Sequence, residues 1–86
     1  MISKEMIIMN KTGIHARPAS LFVKLASGYK SNIEIEKEDR VANGKSLINI
    51  LSMGINAGSK ITVKAHGEDE QVALCAIVDF LMNLQE

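Results

Sequence analysis

The chain has 86 residues, ten basic and ten acidic, so its formal charge at neutral pH is zero. That balance argues against a partner gripped chiefly by charge, such as nucleic acid or an anionic membrane. Two Phe, one Tyr and no Trp leave the core to Ile, Leu, Val, Met and Ala. The hydrophobic share of 47% is that of a folded domain rather than a disordered chain, and its size confines every element to one small core. Cys75 is the lone cysteine and forms no internal disulfide; no signal-like leader opens the sequence. No apolar run approaches the ~20 residues of a membrane span. The expectation is a cytoplasmic soluble protein, one compact unit over residues 1–86, with no linker or internal repeat.

The first predicted strand is Lys4 to Met9, with Met6 and Ile8 facing one way and Ile7 the other. Asn10 to Gly13 read as a turn-like loop. A helix begins near Ala16 to Pro18, because Pro suits a first turn, and ends at Gly28. Its spacing gathers Ala19, Phe22, Val23 and Ala26 on one side and Arg17, Ser20 and Lys24 on the other, with Leu21 at the edge. Ile33 and Ile35 alternate with Glu34 and Glu36 in a half-buried strand, and Arg40 to Asn43 pair back after a turn over Lys37 to Asp39.

Ser46 reads as the N-cap of a two-turn helix from Leu47 to Met53. That helix shows Ile50 and Met53 on one side and Leu47, Ile48 and Leu51 on another. The second set either closes a further facet of the core or faces solvent. Lys60 to Ala65 alternate again, with Ile61, Val63 and Ala65 inward. From Glu68 the pattern is helical: Glu68, Asp69 and Glu70 suit the positive end of a helix dipole, and Leu74, Ile77, Val78 and Leu81 form the stripe, widened by Phe80 and Leu84. Cys75 is expected in the core and His66 in a surface loop. The order βαββαβα, with one polar face on each strand and helix, predicts an α/β (α+β) open-faced two-layer sandwich: a four-stranded antiparallel sheet with three helices on one face.

"GIHARPAS", Gly13 to Ser20, carries the chemistry. His15 lies just before a first helical turn, whose amides lack intrahelical acceptors and whose dipole favours an anion. Arg17 adds a planar cation suited to phosphate oxygens, Pro18 fixes the entry geometry and Gly13 leaves room for close approach. A neutral, accessible imidazole there could accept a phosphoryl group and release it again. The same residues fit a loop histidine that caps a helix beside a surface arginine. Two histidines and one cysteine so far apart make a poor metal set, and no cofactor is expected.

"TGIHARPAS" resembles the active-site signature of HPr, the histidine-containing phosphocarrier family of the bacterial sugar phosphotransferase system. "GKSLINILSMGI" is similar to the regulatory-serine segment of the Gram-positive type. The resemblance implies that His15 takes a phosphoryl group from phosphorylated enzyme I, on its δ nitrogen with Arg17 in support, and passes it to enzyme IIA. It implies ATP-dependent phosphorylation of Ser46 by a kinase/phosphorylase, after which the protein acts with a catabolite-control transcription factor. Ala16, Ser20, Leu21, Lys24, Lys45, Leu47, Ile48 and Leu51 would form the docking surface, an apolar centre with a polar and basic rim. A stoichiometric carrier is implied rather than an enzyme, monomeric and making no direct contact with nucleic acid. Many Gram-positive relatives read isoleucine-methionine-glycine-valine-methionine after the serine; here Leu47 to Leu51 keep the patch apolar and set Asn49 where glycine is usual.

Three alternatives compete. A small RNA-binding domain needs sheet aromatics and a basic surface, whereas Phe22 and Phe80 fall in helices. A regulatory paralogue acting only through Ser46 would lack the histidine, and His15 is present. A nitrogen-branch phosphocarrier would share the chemistry but not the sugar partners.

Overall fold

The computed structural model describes residues 1–84. β1 (Ile2–Ile7), α1 (Ala16–Ser27), β2 (Asn32–Lys37), β3 (Arg40–Asn43), α2 (Leu47–Ser52), β4 (Lys60–His66) and α3 (Glu70–Met82) follow in the predicted order. The strands form one antiparallel sheet in the order β1-β4-β2-β3.

Alternation dictates which face is dry. Ile35 lies opposite both Val63 and Ala42, Ile33 opposite Ala65, and Met6 opposite Ile61. Cross-strand partners share a face, so these side chains make one apolar layer. All but the half-buried Met6 are fully buried. On the open face Lys64 pairs with Glu36 at 3.1 Å, a partly exposed contact of little energetic weight.

The helices cover the dry face. α1 buries Pro18, Ala19, Phe22 and Ala26, and α3 buries Ala73, Leu74, Ile77 and Leu81. Phe22 and Phe80 join the two helices, with ring centroids 6.3 Å apart and planes tilted by 59°, a favoured edge-to-face range.

Several expectations are corrected. β1 starts at Ile2 and stops at Ile7 rather than running from Lys4 to Met9. Ile8 is fully buried just past its end, while Ile7 and Met9 are exposed. α1, by contrast, starts at Ala16 as expected, with Pro18 as its third residue and so within the first turn; a third-position N–H lacks an intrahelical acceptor, so the ring costs nothing there. Cys75 is exposed, not in the core. Positions 73, 74, 77 and 81 fill the inward stripe of α3, and 75 is rotated out of it. It lines a shallow depression with Leu74, Val78 and Met82. His66 closes β4 as a strand residue opposite Asn32 rather than sitting in a loop, and it is exposed as expected.

Asp69 precedes α3 but does not cap it. Its carboxylate turns to the segment after α1, accepting from the Ser31 hydroxyl and from the Lys30 and Ser31 amides, both at 2.9 Å. These donors, the Ser31 hydroxyl first and the Lys30 amide next, lower its pKa to about 2 from the usual 3.8. A carboxylate depressed by folding stabilises the fold above its ordinary pKa and loses that contribution as pH falls through the folded value. Asp69→Asn should therefore be less stable than the parent at pH 7. The gap should narrow between about pH 4 and pH 2, as followed by circular dichroism during acid titration.

Candidate functional site

The loop before α1 is fixed at both ends. Gly13 has φ +66°, a left-handed conformation that glycine adopts without cost. The Ile14 amide donates to the Ile55 carbonyl at 2.9 Å, and the Asn10 side-chain amide donates to the Gly13 carbonyl at 2.8 Å. A Cβ on Gly13 would lie 2.3 Å from the Ile55 oxygen. The close approach that Gly13 permits is thus to the backbone of residues 55–56. Ile14 is buried and anchors the residue that follows it.

That residue is His15. It occupies the N-cap of α1 with φ −96° and ψ −162°, and among the described residues its side chain caps nothing. Its carbonyl accepts from the Ala19 amide at 2.8 Å. The backbone is therefore locked while the imidazole is exposed. Its neighbours at the helix start are Ala16 and Arg17, both exposed, and then the buried pair Pro18 and Ala19.

Ala16, Arg17, Ser20, Leu21 and Lys24 are exposed in succession along α1, the i, i+4 spacing of one solvent face. Leu21 is 47% exposed. α2 packs against α1 and β3 and buries Ile50 and, just past its end, Met53. Leu47, Ile48 and Leu51 are 38%, 78% and 42% exposed, so they are no second core facet. A six-residue helix cannot bury two sides. Ser46 caps α2, its hydroxyl accepting from the Asn49 amide at 3.3 Å, and is half-buried.

Lys45 is placed differently from the other basic residues. Its ammonium donates to the Tyr29 carbonyl at 2.7 Å and is part-buried, tying the start of α2 to the end of α1. Sequence patterning also missed the supports of His15, namely Asn10, Ile14 and Ile55. Their only sequence signal is the glycine in a turn. Residues 6–33 contain Lys11, Arg17, Lys24 and Lys30 and no acidic residue, so the α1 region is basic within a neutral chain.

Among the described residues no three His, Cys, Asp or Glu side chains are grouped to hold a metal ion, and no helix is long and apolar enough to cross a membrane. An exposed imidazole on a rigid N-cap, two residues before an exposed arginine and next to the amides of a helix start, has the groups that attack on a phosphoryl group calls for.

Residues 2–83 match the family described as "PTS HPr component phosphorylation site". The chain is 38% identical over its whole length to the phosphocarrier protein HPr of Borreliella burgdorferi, which it also covers completely. It is 42% identical over 81 residues to the HPr-like protein Crh of Halalkalibacterium halodurans, covering 94% of this chain and 96% of that one. The crystal structure of HPr-C-His from Thermoanaerobacter tengcongensis superimposes with a TM-score of 0.92 at 43% identity, over 95% of this chain and 92% of that one. An HPr dimer from the same organism matches with a TM-score of 0.76, over 95% and 94% of the two chains.

Proposed function

This chain belongs to the HPr family of phosphotransferase-system phosphocarriers, and we propose that His15 is its phosphoryl-carrying residue. The observation that carries this reading is the exposed imidazole on a backbone fixed by Gly13, Ile14 and Ala19. The neutral ring nitrogen attacks the phosphorus held by phosphorylated enzyme I. A P–N bond forms as the donor's bond to phosphorus breaks, and the displaced donor keeps the electron pair. Arg17 and the first-turn amides face the oxyanions. The same exchange in reverse sense delivers the group to an enzyme IIA, so the protein is returned unchanged and acts as a carrier in sugar uptake.

Docking is assigned to the solvent face of α1 and α2: Ala16, Ser20, Leu21 and Lys24 with Leu47, Ile48 and Leu51. Lys45 contributes to the same neighbourhood through its contact with Tyr29 rather than as a rim charge. Ser46 is assigned as the site of ATP-dependent regulation by a kinase/phosphorylase. A phosphate there adds about −2 charge beside the docking face and favours a catabolite-control transcription factor over enzyme I. The protein is taken to be cytoplasmic, a single carrier domain over residues 1–86, and to work as a monomer, which light scattering at working concentration checks.

A second reading is a regulatory protein acting through Ser46 alone, which the presence of an exposed His15 argues against. A nitrogen-branch role is the other alternative. One experiment separates them: incubation with enzyme I and phosphoenolpyruvate, then with enzymes IIA of each branch. The expected product is one acid-labile, base-stable phosphate per chain that passes to a sugar-specific enzyme IIA. With ATP and the kinase, an acid-stable phosphate on Ser46 should slow the first step. Absence of the acid-labile phosphate in the parent protein would leave the regulatory reading.

A further inference from the structure

The β2–β3 turn carries two cations where the sheet pattern calls for apolar residues. Lys37 continues the inward phase of Ile33 and Ile35, and Arg40 that of Ala42. The two lie directly opposite one another in the ladder, an arrangement of like charges that destabilises a hairpin. Both are spent on the C-terminal end of α2 and the turn that follows it. Arg40 donates to the Ser52 carbonyl at 2.6 Å, and Lys37 donates to the Gly54 carbonyl at 2.8 Å. The Ser52 hydroxyl in turn donates to the Asn49 carbonyl at 2.8 Å.

The need for such donors follows from the length of α2. Six residues fall far below the length at which a helix holds itself together in water. Within the helix only Ile50 is buried. The carbonyls of a last turn have no intrahelical donor and carry the negative end of the dipole. At this end the Ser52 carbonyl meets the Arg40 guanidinium, and the Gly54 carbonyl, in the turn just past the helix, meets the Lys37 ammonium. We propose that Lys37 and Arg40 are positioning residues: they strap the C-terminal end of α2 so that Leu47, Ile48 and Leu51 are presented ready-formed to the phosphoryl donor. This rests on the assignment of α2 to the docking face. Neither side chain needs to touch the partner.

The test uses Arg40→Met and the double variant Lys37→Met/Arg40→Met, which keep side-chain length and lose the donors. Amide hydrogen exchange is read in the free protein at Ile50 and Met53, whose N–H groups bond back to Ser46 and Ile50. Phosphorylation by enzyme I and phosphoenolpyruvate is read as KM and kcat. Protection at those two amides should fall about tenfold in Arg40→Met and further in the double variant, with β4 amides unchanged. A partly frayed docking element lowers the competent fraction, so KM should rise about threefold in the single variant while kcat stays within about twofold.

Unchanged protection with unchanged KM overturns the proposal. Unchanged protection with a raised KM also overturns it, since the cations then act by touching enzyme I. Lost protection with an unchanged KM overturns it because α2 is then not the docking element. A parent protein that takes no phosphate from enzyme I removes the carrier reading itself and this inference with it; that failure shows before any variant is compared. Should the double variant not fold, Arg40→Met alone decides.

Discussion

His15→Ala should take up no acid-labile phosphate from enzyme I and phosphoenolpyruvate, a loss of about a thousandfold or more in initial rate, as expected when a nucleophile is removed. The measurement is a single-turnover assay with labelled phosphoenolpyruvate, analysed after acid and base treatment. The structure makes this variant clean. The imidazole is exposed and caps nothing among the described residues, and the helix-starting bond comes from the His15 carbonyl, which alanine keeps. Stability should stay within about 0.5 kcal/mol of the parent. Arg17→Ala should behave differently, labelling more slowly by about tenfold to a hundredfold, because it removes oxyanion stabilisation and leaves the nucleophile. A His15→Ala protein that labels at the parent rate would move the acceptor elsewhere.

The largest effect on the fold is expected at Gly13. Alanine there meets two separate penalties. The left-handed backbone at φ +66° costs a non-glycine residue about 1–3 kcal/mol. The new Cβ also lies 2.3 Å from the Ile55 carbonyl oxygen and 2.6 Å from the Asn56 Cα. Both are backbone atoms that cannot swing aside, and such overpacking costs about 1–3 kcal/mol. Gly54 separates the two terms. Its φ is +64°, yet nothing lies within 4 Å of its Cβ position, so Gly54→Ala should lose only the backbone part. Thermal unfolding should show Gly13→Ala falling by roughly 10–45 °C, for a loss of about 2–6 kcal/mol at about 4–8 °C per kcal/mol in a chain of this size, and Gly54→Ala by about half of that. Because Gly13 holds the Ile14–Ile55 contact, the first variant should also slow phosphorylation below the melting range. Equal losses at the two glycines would mean that the loop yields and the close approach carries no energy.

The sequence was most legible where periodicity met a single solvent boundary. Ile33 and Ile35 against Glu34 and Glu36, and Ile61, Val63 and Ala65 in β4, alternate so regularly that their inward face is unambiguous. β1 was harder, since Ile7, Ile8 and Met9 are all apolar and only the register with β4 decides which of them the core takes. The exposed apolar set on α2 was readable because a helix that short has one side too many. Cys75 misled because a small apolar residue beside a buried stripe reads as part of it.

Polar contacts between distant segments were the least legible. Asp69 reaches Ser31 across 38 positions, Arg40 reaches Ser52 across 12 and Lys45 reaches Tyr29 across 16. Each of these residues reads as a solvated charge in a window of the chain, and only the packing of strands on helices supplies its acceptor or donor. At the candidate site, the His15 and Arg17 pair was visible as a motif, whereas the buried framework behind it was not. Asn10 reads as part of a turn but not as the donor that holds the Gly13 carbonyl, and Ile55 has no local pattern that ties it to that loop.

The stretch from residue 6 to residue 33 carries four cations and no carboxylate in a chain of zero net charge. Among the described residues Glu68 and Asp69 answer it at Lys30 and Ser31, near its C-terminal end, so the start of α1 is a locally basic part of a neutral molecule. In the field of an acidic partner such a molecule feels a torque but little net pull, so it rotates before it is drawn in. Encounters should then be pre-aligned with α1 leading. Added salt should weaken that alignment and leave the apolar contacts, once made, largely intact.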